Sequence, residues 1–324
     1  MIKKLPQILH EKSRQRGFRT AAIVADLLNI SEDSAYCRIK RPQSFRADEL
    51  VLLAREFRIN LNTLVEAQND WLQGNYVGFD QENLSAENFY ELLKKRLDRT
   101  LNLEAPKVFY GAKEVPFFYT LWFPHLSAFK EFVWNRDFLK QTQLAGTLFE
   151  TEANAQPKYI ALAERYLRIP SEEVWSFETL FSTLYQIQHY KECGLFADEQ
   201  DYRRVMGEYD ALIDLIFEQA EKGMKINPYL PKLKGAKYKL YFNALTSVDN
   251  SMVFESSKDQ VAVVCSSLSG VITSDCESWV GATRRWIESC IASGTLLSHS
   301  GSGPRSRFLR QEYRTKKEWL GLRL

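Results

Sequence analysis

Thr20-Ala21-Ala22-Ile23-Val24-Ala25-Asp26-Leu27-Leu28-Asn29-Ile30-Ser31-Glu32-Asp33-Ser34-Ala35-Tyr36-Cys37-Arg38-Ile39-Lys40 is the stretch on which the reading of this chain turns. Its apolar positions follow helical spacing from Ala21 to Leu28, stop at Asn29-Ile30 and resume after Ser31. Ser31 is a preferred N-cap, and Glu32 and Asp33 then fall in a first turn whose dipole favours acids. Ala25 is small enough for two helices to cross closely, and Asn29 is among the few non-glycine residues that tolerate a left-handed turn. Ile30, Ala35 and Ile39 then face a shared small core. The spacing predicts a helix from Glu32 to about Lys40, ended by Pro42, and an amphipathic helix over Ala47 to Phe57 carrying Leu50, Leu53, Ala54 and Phe57. Upstream, Ile2, Leu5, Ile8 and Leu9 form one helical stripe, after which Gly17 gives a break and Thr20 an N-cap candidate. A short fifth helix is expected near Asn62.

Around this stretch lies a chain of 324 residues, long enough for two or three domains, with 45% hydrophobic and 13% aromatic residues. Those values exclude global disorder and collagen-like repetition. Its 43 basic and 41 acidic side chains leave a formal charge of +2, which by itself predicts no polyanion partner. The distribution is more informative: residues 1–72 carry +3, residues 284–324 carry +6, and the middle carries −7. Two positive ends flank an acidic centre, an asymmetry that suits a DNA-binding end.

The Ala25–Asn29–Ile30–Ala35–Ile39 arrangement resembles the helix-turn-helix of the lambda-repressor-like (XRE-type) transcriptional regulators, over about residues 1–70. Leu27 to Lys40, followed by Asp48-Glu49-Leu50 and Leu53-Ala54, is similar to bacterial regulators that carry a long C-terminal region. Glu32 and Cys37 stand where that resemblance leads one to expect basic residues. It implies that the helix starting at Glu32 docks in a major groove, with Asp33, Ser34, Tyr36 and Cys37 facing the bases. Thr20, Arg38, Lys40, Arg41 and Arg46 are then expected at phosphates, and Arg14, Arg16 and Arg19 extend the positive surface.

Beyond residue 72 the expectations rest on pattern alone. Ser85 is positioned to cap a helix bearing Phe89, Leu92, Leu93, Leu97 and Leu101, so residues 73–105 read as a linker and connector helix. From Phe109 to Phe138 aromatic density rises sharply, and this is either packed core or the wall of a pocket for an apolar or planar effector. Ser171-Glu172-Glu173-Val174 reads as a helix start leading through Phe177, Leu180, Leu184 and Ile187 to Gly194, with a further helix from Asp198 towards Gly223. Short strands are expected at Tyr238–Phe242, Met252–Phe254, Val261–Cys265 and Gly270–Thr273, as an antiparallel meander, and then a helix from about Cys276. Gly301-Ser302-Gly303-Pro304 leads into a basic helix with Arg305, Arg307, Arg310, Arg314, Lys316 and Lys317.

The fold expected is therefore multidomain: an all-α helix-turn-helix domain over 1–72, then a mainly helical α+β region over 106–324 with a small antiparallel sheet near the C-terminus. The five cysteines form no CxxC pair and their number is odd, which favours free thiols in a reducing compartment. No run approaches the roughly 18 apolar residues of a membrane span, so a cytoplasmic protein without membrane contact is expected. Walker, HExxH and Gly-x-Ser-x-Gly motifs are absent, His125 has no ligand-spaced neighbour, and His189 with Cys193 is weak support for a nucleophile. Neither an enzyme, a metal nor a cofactor is expected. The reading is a regulator that binds double-stranded DNA as a homodimer, its C-terminal region serving dimerisation or the sensing of a small-molecule or protein effector. The alternative is a protein-interaction scaffold that does not bind DNA.

Overall fold

The computed structural model describes residues 4–15, 17–57, 59, 61, 74–78, 86–152, 158–245, 249–257, 259–266 and 270–322. The chain divides into two compact units, Met1–Trp71 and Leu72–Leu324. The helix expected near Asn62, the cap at Ser85 and Arg16 lie outside the described residues.

The first unit contains α1 (Leu5–Gln15), α2 (Thr20–Leu28), α3 (Glu32–Lys40) and α4 (Ala47–Phe57). Leu5, Leu9, Val24, Ala25, Ala35, Ile39, Phe45, Leu53 and Phe57 form its buried core. Apart from Phe45, which lies between α3 and α4, these fall in the stripes that helical spacing marks in the sequence, and burying them stabilises a module too small to hold by hydrogen bonding alone. Asn29 ends α2 at φ 51°, ψ 51° in the left-handed region. The Ile30 amide donates to Ala25 O at 3.0 Å, which closes the turn and lets α3 start within three residues. Ser31 caps α3, its Oγ accepting from the Ser34 amide at 3.3 Å. Thr20 is not a cap. Arg19 holds the N-cap position of α2 without a side-chain bond, and Thr20 is the first helical residue.

The second unit runs β1 (Asn75–Gly78), α5 (Ala86–Leu101), β2 (Lys107–Ala112), α6 (Phe117–Thr120), α7 (Pro124–Val133), α8 (Ile160–Leu167), β3 (Ser171–Trp175), α9 (Phe177–Glu192) and α10 (Glu199–Lys222). It continues with β4 (Met224–Ile226), β5 (Lys234–Phe242), β6 (Asn250–Glu255), β7 (Gln260–Ser266), β8 (Gly270–Ser274), α11 (Glu277–Ala292), β9 (Thr295–Leu296), α12 (Ser302–Ser306) and α13 (Tyr313–Trp319). Among the described residues its sheet has nine strands, in the order β1-β8-β7-β6-β2-β3-β5-β4 with β9 added on β5. The small sheet expected from the sequence is thus corrected to a large mixed one. Strands β6, β7 and β8 do form an antiparallel meander, but β5 lies apart from them, separated by β2 and β3.

β2 and β3 pair in parallel, as do β3 and β5, so the centre of the sheet is assembled from segments about sixty residues apart in the chain. A central parallel strand is covered on both faces and shows no polar alternation. That explains why Lys107–Ala112 reads as part of an aromatic run and Ser171–Trp175 as a helix start. The cap of α9 is Ser176, whose Oγ accepts from the Thr179 amide while Thr179 Oγ1 accepts from the Ser176 amide at 2.9 Å. Asp198 and left-handed Gly223 cap α10 at the two positions the sequence marks.

One face of the sheet is covered by the main core, including Val108, Tyr110, Met252 and Phe254. The other meets α11 through Phe109, Val174, Val253, Ala262, Val280 and Ile287. α5 packs into the second unit, with Leu93 and Leu97 fully buried in this same core. Most of the aromatic stretch goes into packing, although Phe138 at its end is 48% exposed. Phe129 sits 5.4 Å from Phe149 edge-on and 5.5 Å from Phe196 stacked, and Phe118 stacks on Tyr166 at 4.1 Å.

A polar knot lies within that core. Glu173 is completely buried and accepts hydrogen bonds on Oε1 from Tyr119 at 2.6 Å, Tyr166 at 2.7 Å and Ser171 at 2.9 Å. Trp175 Nε1 donates to its Oε2 at 3.2 Å. Beside it, Lys225 Nζ donates to Tyr166 O at 2.9 Å and Ile169 O at 2.7 Å, carbonyls at the end of α8, and lies 3.3 Å from the Tyr166 ring centroid. Burial lowers the Lys225 pKa to about 7, against which the Glu173 charge works. Burial, and then the same carboxylate, raise the hydroxyls of Tyr119, Tyr166 and Tyr238 well above their ordinary range.

Candidate nucleic-acid interface

The interface is built on α3. Burial of Ala35 and Ile39 leaves the opposite face of the helix to solvent, where Asp33 and Cys37 form one row four residues apart and Tyr36 and Lys40 form the next. Tyr36 is 52% exposed and faces outward. Lys40 Nζ lies 4.6 Å from its ring centroid, and the Tyr36 side chain, by hydrogen bond and then by charge, holds the Lys40 ammonium above its ordinary pKa. Cys37 is a free, exposed thiol. Ser34 is exposed but engaged locally, its Oγ receiving the Ser31 hydroxyl at 2.9 Å.

The expected phosphate contacts divide into two groups. Lys40, Arg41 and Arg46 are exposed around the C-terminal end of α3 and the turn that follows it. Arg46 is only loosely held, with Nε 3.3 Å from exposed Asp48, an ion pair of little energetic weight. Arg38 and Thr20 are used internally. Arg38 Nη1 pairs with Glu49 of α4, a contact that fixes the orientation of α3 on the module. Thr20 is only 7% exposed, and its hydroxyl lies 2.8 Å from His10 Nδ1 of α1.

Glu49 is the residue that reading from the sequence missed. Besides holding Arg38, it accepts the Arg46 amide at 2.8 Å, the reciprocal half of a capping box at the start of α4. The signal was present as an acid three residues into a helix beginning after Arg46. Its partner across eleven residues was not visible in spacing.

The other side chains considered for chemistry are packed or turned to poor use. His125 Nδ1 lies 3.2 Å from Thr151 Oγ1 and Nε2 3.8 Å from Glu208 Oε1. Glu208 also accepts the Leu126 amide at 2.8 Å, so this pair serves the N-terminus of α7. His189 Nδ1 and Cys193 Sγ are 3.7 Å apart and exposed at the C-terminal end of α9. Among the described residues no group of three or more His, Cys, Asp or Glu side chains is placed to hold a metal ion. No helix among them is long and apolar enough to cross a membrane.

Comparison with protein-family models, with curated proteins and with solved structures finds no match.

Proposed function

We propose that the first unit is a sequence-specific DNA-binding module of the lambda-repressor-like (XRE-type) kind, and that the chain is a transcriptional regulator. The observation that carries the reading is the junction of α2 and α3. A left-handed Asn29 and a Ser31 cap hold α3 so that Ala35 and Ile39 are buried while Asp33, Tyr36 and Cys37 are presented together. A helix held from behind and lined in front with polar and aromatic groups is what major-groove reading requires. Lys40, Arg41 and Arg46 supply the charge that sets register on the backbone. Asp33 works against phosphates and for a cytosine amino group, which places it at specificity rather than at affinity.

One such helix buries too little DNA for tight specific binding, and pairing two copies on a near-palindromic site remedies this. The second unit is the part of the chain available for that pairing and for responding to an effector. The test is anisotropy of labelled duplexes selected from a random library, at two salt concentrations, with the whole chain and with Lys40→Ala/Arg41→Ala/Arg46→Ala. Arg38 is kept, because its loss would disturb the helix packing. Affinity of the wild type should fall steeply with salt, and the variant should lose both affinity and salt slope. Absence of any selected duplex, or binding indifferent to salt and to the three substitutions, would refute the proposal.

A further inference from the structure

The residues from Ser302 to Trp319 form one helical run interrupted by a π-helical turn over Arg307–Glu312. Its inner side is anchored in the second unit. Buried Arg305 donates to Leu297 O at 2.8 Å and His299 O at 3.2 Å, and Phe308 and Leu309 enter the main core. Tyr313 and Lys317 both donate to Asp210, at 2.8 and 2.6 Å. Lys316 lies over Trp319, 3.9 Å from its ring centroid. Of the basic side chains that make the tail positive, these are committed to the unit itself.

Arg307, Arg310 and Arg314 form no ion pair or hydrogen bond with the rest of the unit among the described residues. All three are exposed, and they line one shallow groove together with Gln311, Thr315 and Glu318. Arg310 is held in place by its guanidinium, 3.7 Å from the Phe217 ring centroid. Arg307 has only a long, exposed contact to Glu312 at 3.7 Å, and Arg314 has no ion-pair partner among the described residues. Their shared placement on one side of the run is shown by that common groove.

We propose that this arginine face binds the phosphate backbone of duplex DNA, a second contact added to that of α3; the inference rests on the reading of the first unit as a DNA-binding module. The shape of the surface favours an extended polyanion. Every residue lining the groove belongs to the same helical run, so a small phosphorylated ligand would be touched from one side and left in water on the others, unlike a pocket ligand. The groove lining holds no large apolar side chain, and exposed Trp319 at the end of the run, covered by Lys316, is a single aromatic rather than the apolar face that seats a helix in a membrane surface. Duplex DNA carries a charge about every 1.7 Å of axis, and guanidinium groups match its phosphates in geometry as well as in charge.

The experiment is the salt dependence of binding to a random-sequence duplex by the whole chain, compared with Arg307→Gln/Arg310→Gln/Arg314→Gln. Each lost phosphate contact lowers the slope of log affinity against log salt by about 0.9, so the slope should fall by about 2 to 3. Arg307→Gln/Arg314→Gln, which leaves the Arg310 packing intact, should lower it by about 1.8. Lys222→Gln/Lys232→Gln/Lys237→Gln removes equal charge elsewhere on the second unit and should leave the slope as it is. Wild-type slopes in both arginine variants, or the same loss in the lysine variant, would overturn the inference while the α3 reading stands. If the wild-type chain binds no duplex, the reading of the first unit fails, and this one with it.

Discussion

Glu173 gives the second unit its most demanding test. Its carboxylate is fully buried and takes four side-chain hydrogen bonds, from Tyr119, Tyr166, Ser171 and Trp175. Glu173→Ala removes a buried, hydrogen-bonded charge, strands those donors in the core and opens a cavity. Breaking such a site costs about 3–5 kcal/mol, a large part of the roughly 5–15 kcal/mol that holds a domain folded. Glu173→Gln keeps the shape and one oxygen. Oriented with that oxygen towards the two tyrosines, it sets its amide against Trp175 Nε1 alone, so the expected loss is smaller, about 1–3 kcal/mol. The assay is urea unfolding followed by tryptophan emission. Six of the seven tryptophans belong to the second unit, and Trp175 itself reports on the carboxylate. The ordering wild type, Gln, Ala is the prediction. Variants within about 0.5 kcal/mol of the wild type, the range of ordinary surface substitutions, would refute the account of the knot.

Ser31→Ala should cost the first unit about 1 kcal/mol and speed amide exchange in the first turn of α3, the Ser34 amide above all, because its cap is lost. Arg38→Ala should lower the stability of the first unit with little change in the salt slope of DNA binding, since Arg38 is tied to Glu49, whereas Arg41→Ala should do the opposite. Lys225 has a folded pKa of about 7 against an ordinary 10.5, so the unfolded chain holds the proton more tightly. Stability should therefore rise with pH from about 7 towards 10.5, and urea midpoints measured at pH 7 and 9 should show a gain that Lys225→Met lacks.

The candidate site on α3 divides along the same line as these predictions. That α3 would expose Asp33, Tyr36 and Cys37 was legible, because burial of Ala35 and Ile39 on one side of a helix dictates what lies on the other. That Arg38 and Thr20 would be consumed by Glu49 and His10 was not, since a basic or hydroxyl side chain reads the same whether it meets water, phosphate or a partner ten residues away. In the tail, six basic residues look alike in sequence, and only packing separates Arg305 and Lys317 from Arg307, Arg310 and Arg314.

By itself the sequence determined what is settled within a few turns of chain. The Asn29 turn, the Ser31, Asp198 and Gly223 caps, the α4 stripe and the β6–β8 meander all rest on contacts between near neighbours. The tertiary structure alone decided the centre of the second unit. β2, β3 and β5 meet across more than sixty residues each time, and a strand covered on both faces loses the alternation that would announce it. Glu172 and Glu173 show this most plainly: adjacent acids that look like a helix start become, once Ser171–Trp175 is a strand, a partly buried ion pair with Lys107 on one face and a buried acceptor of four hydrogen bonds on the other.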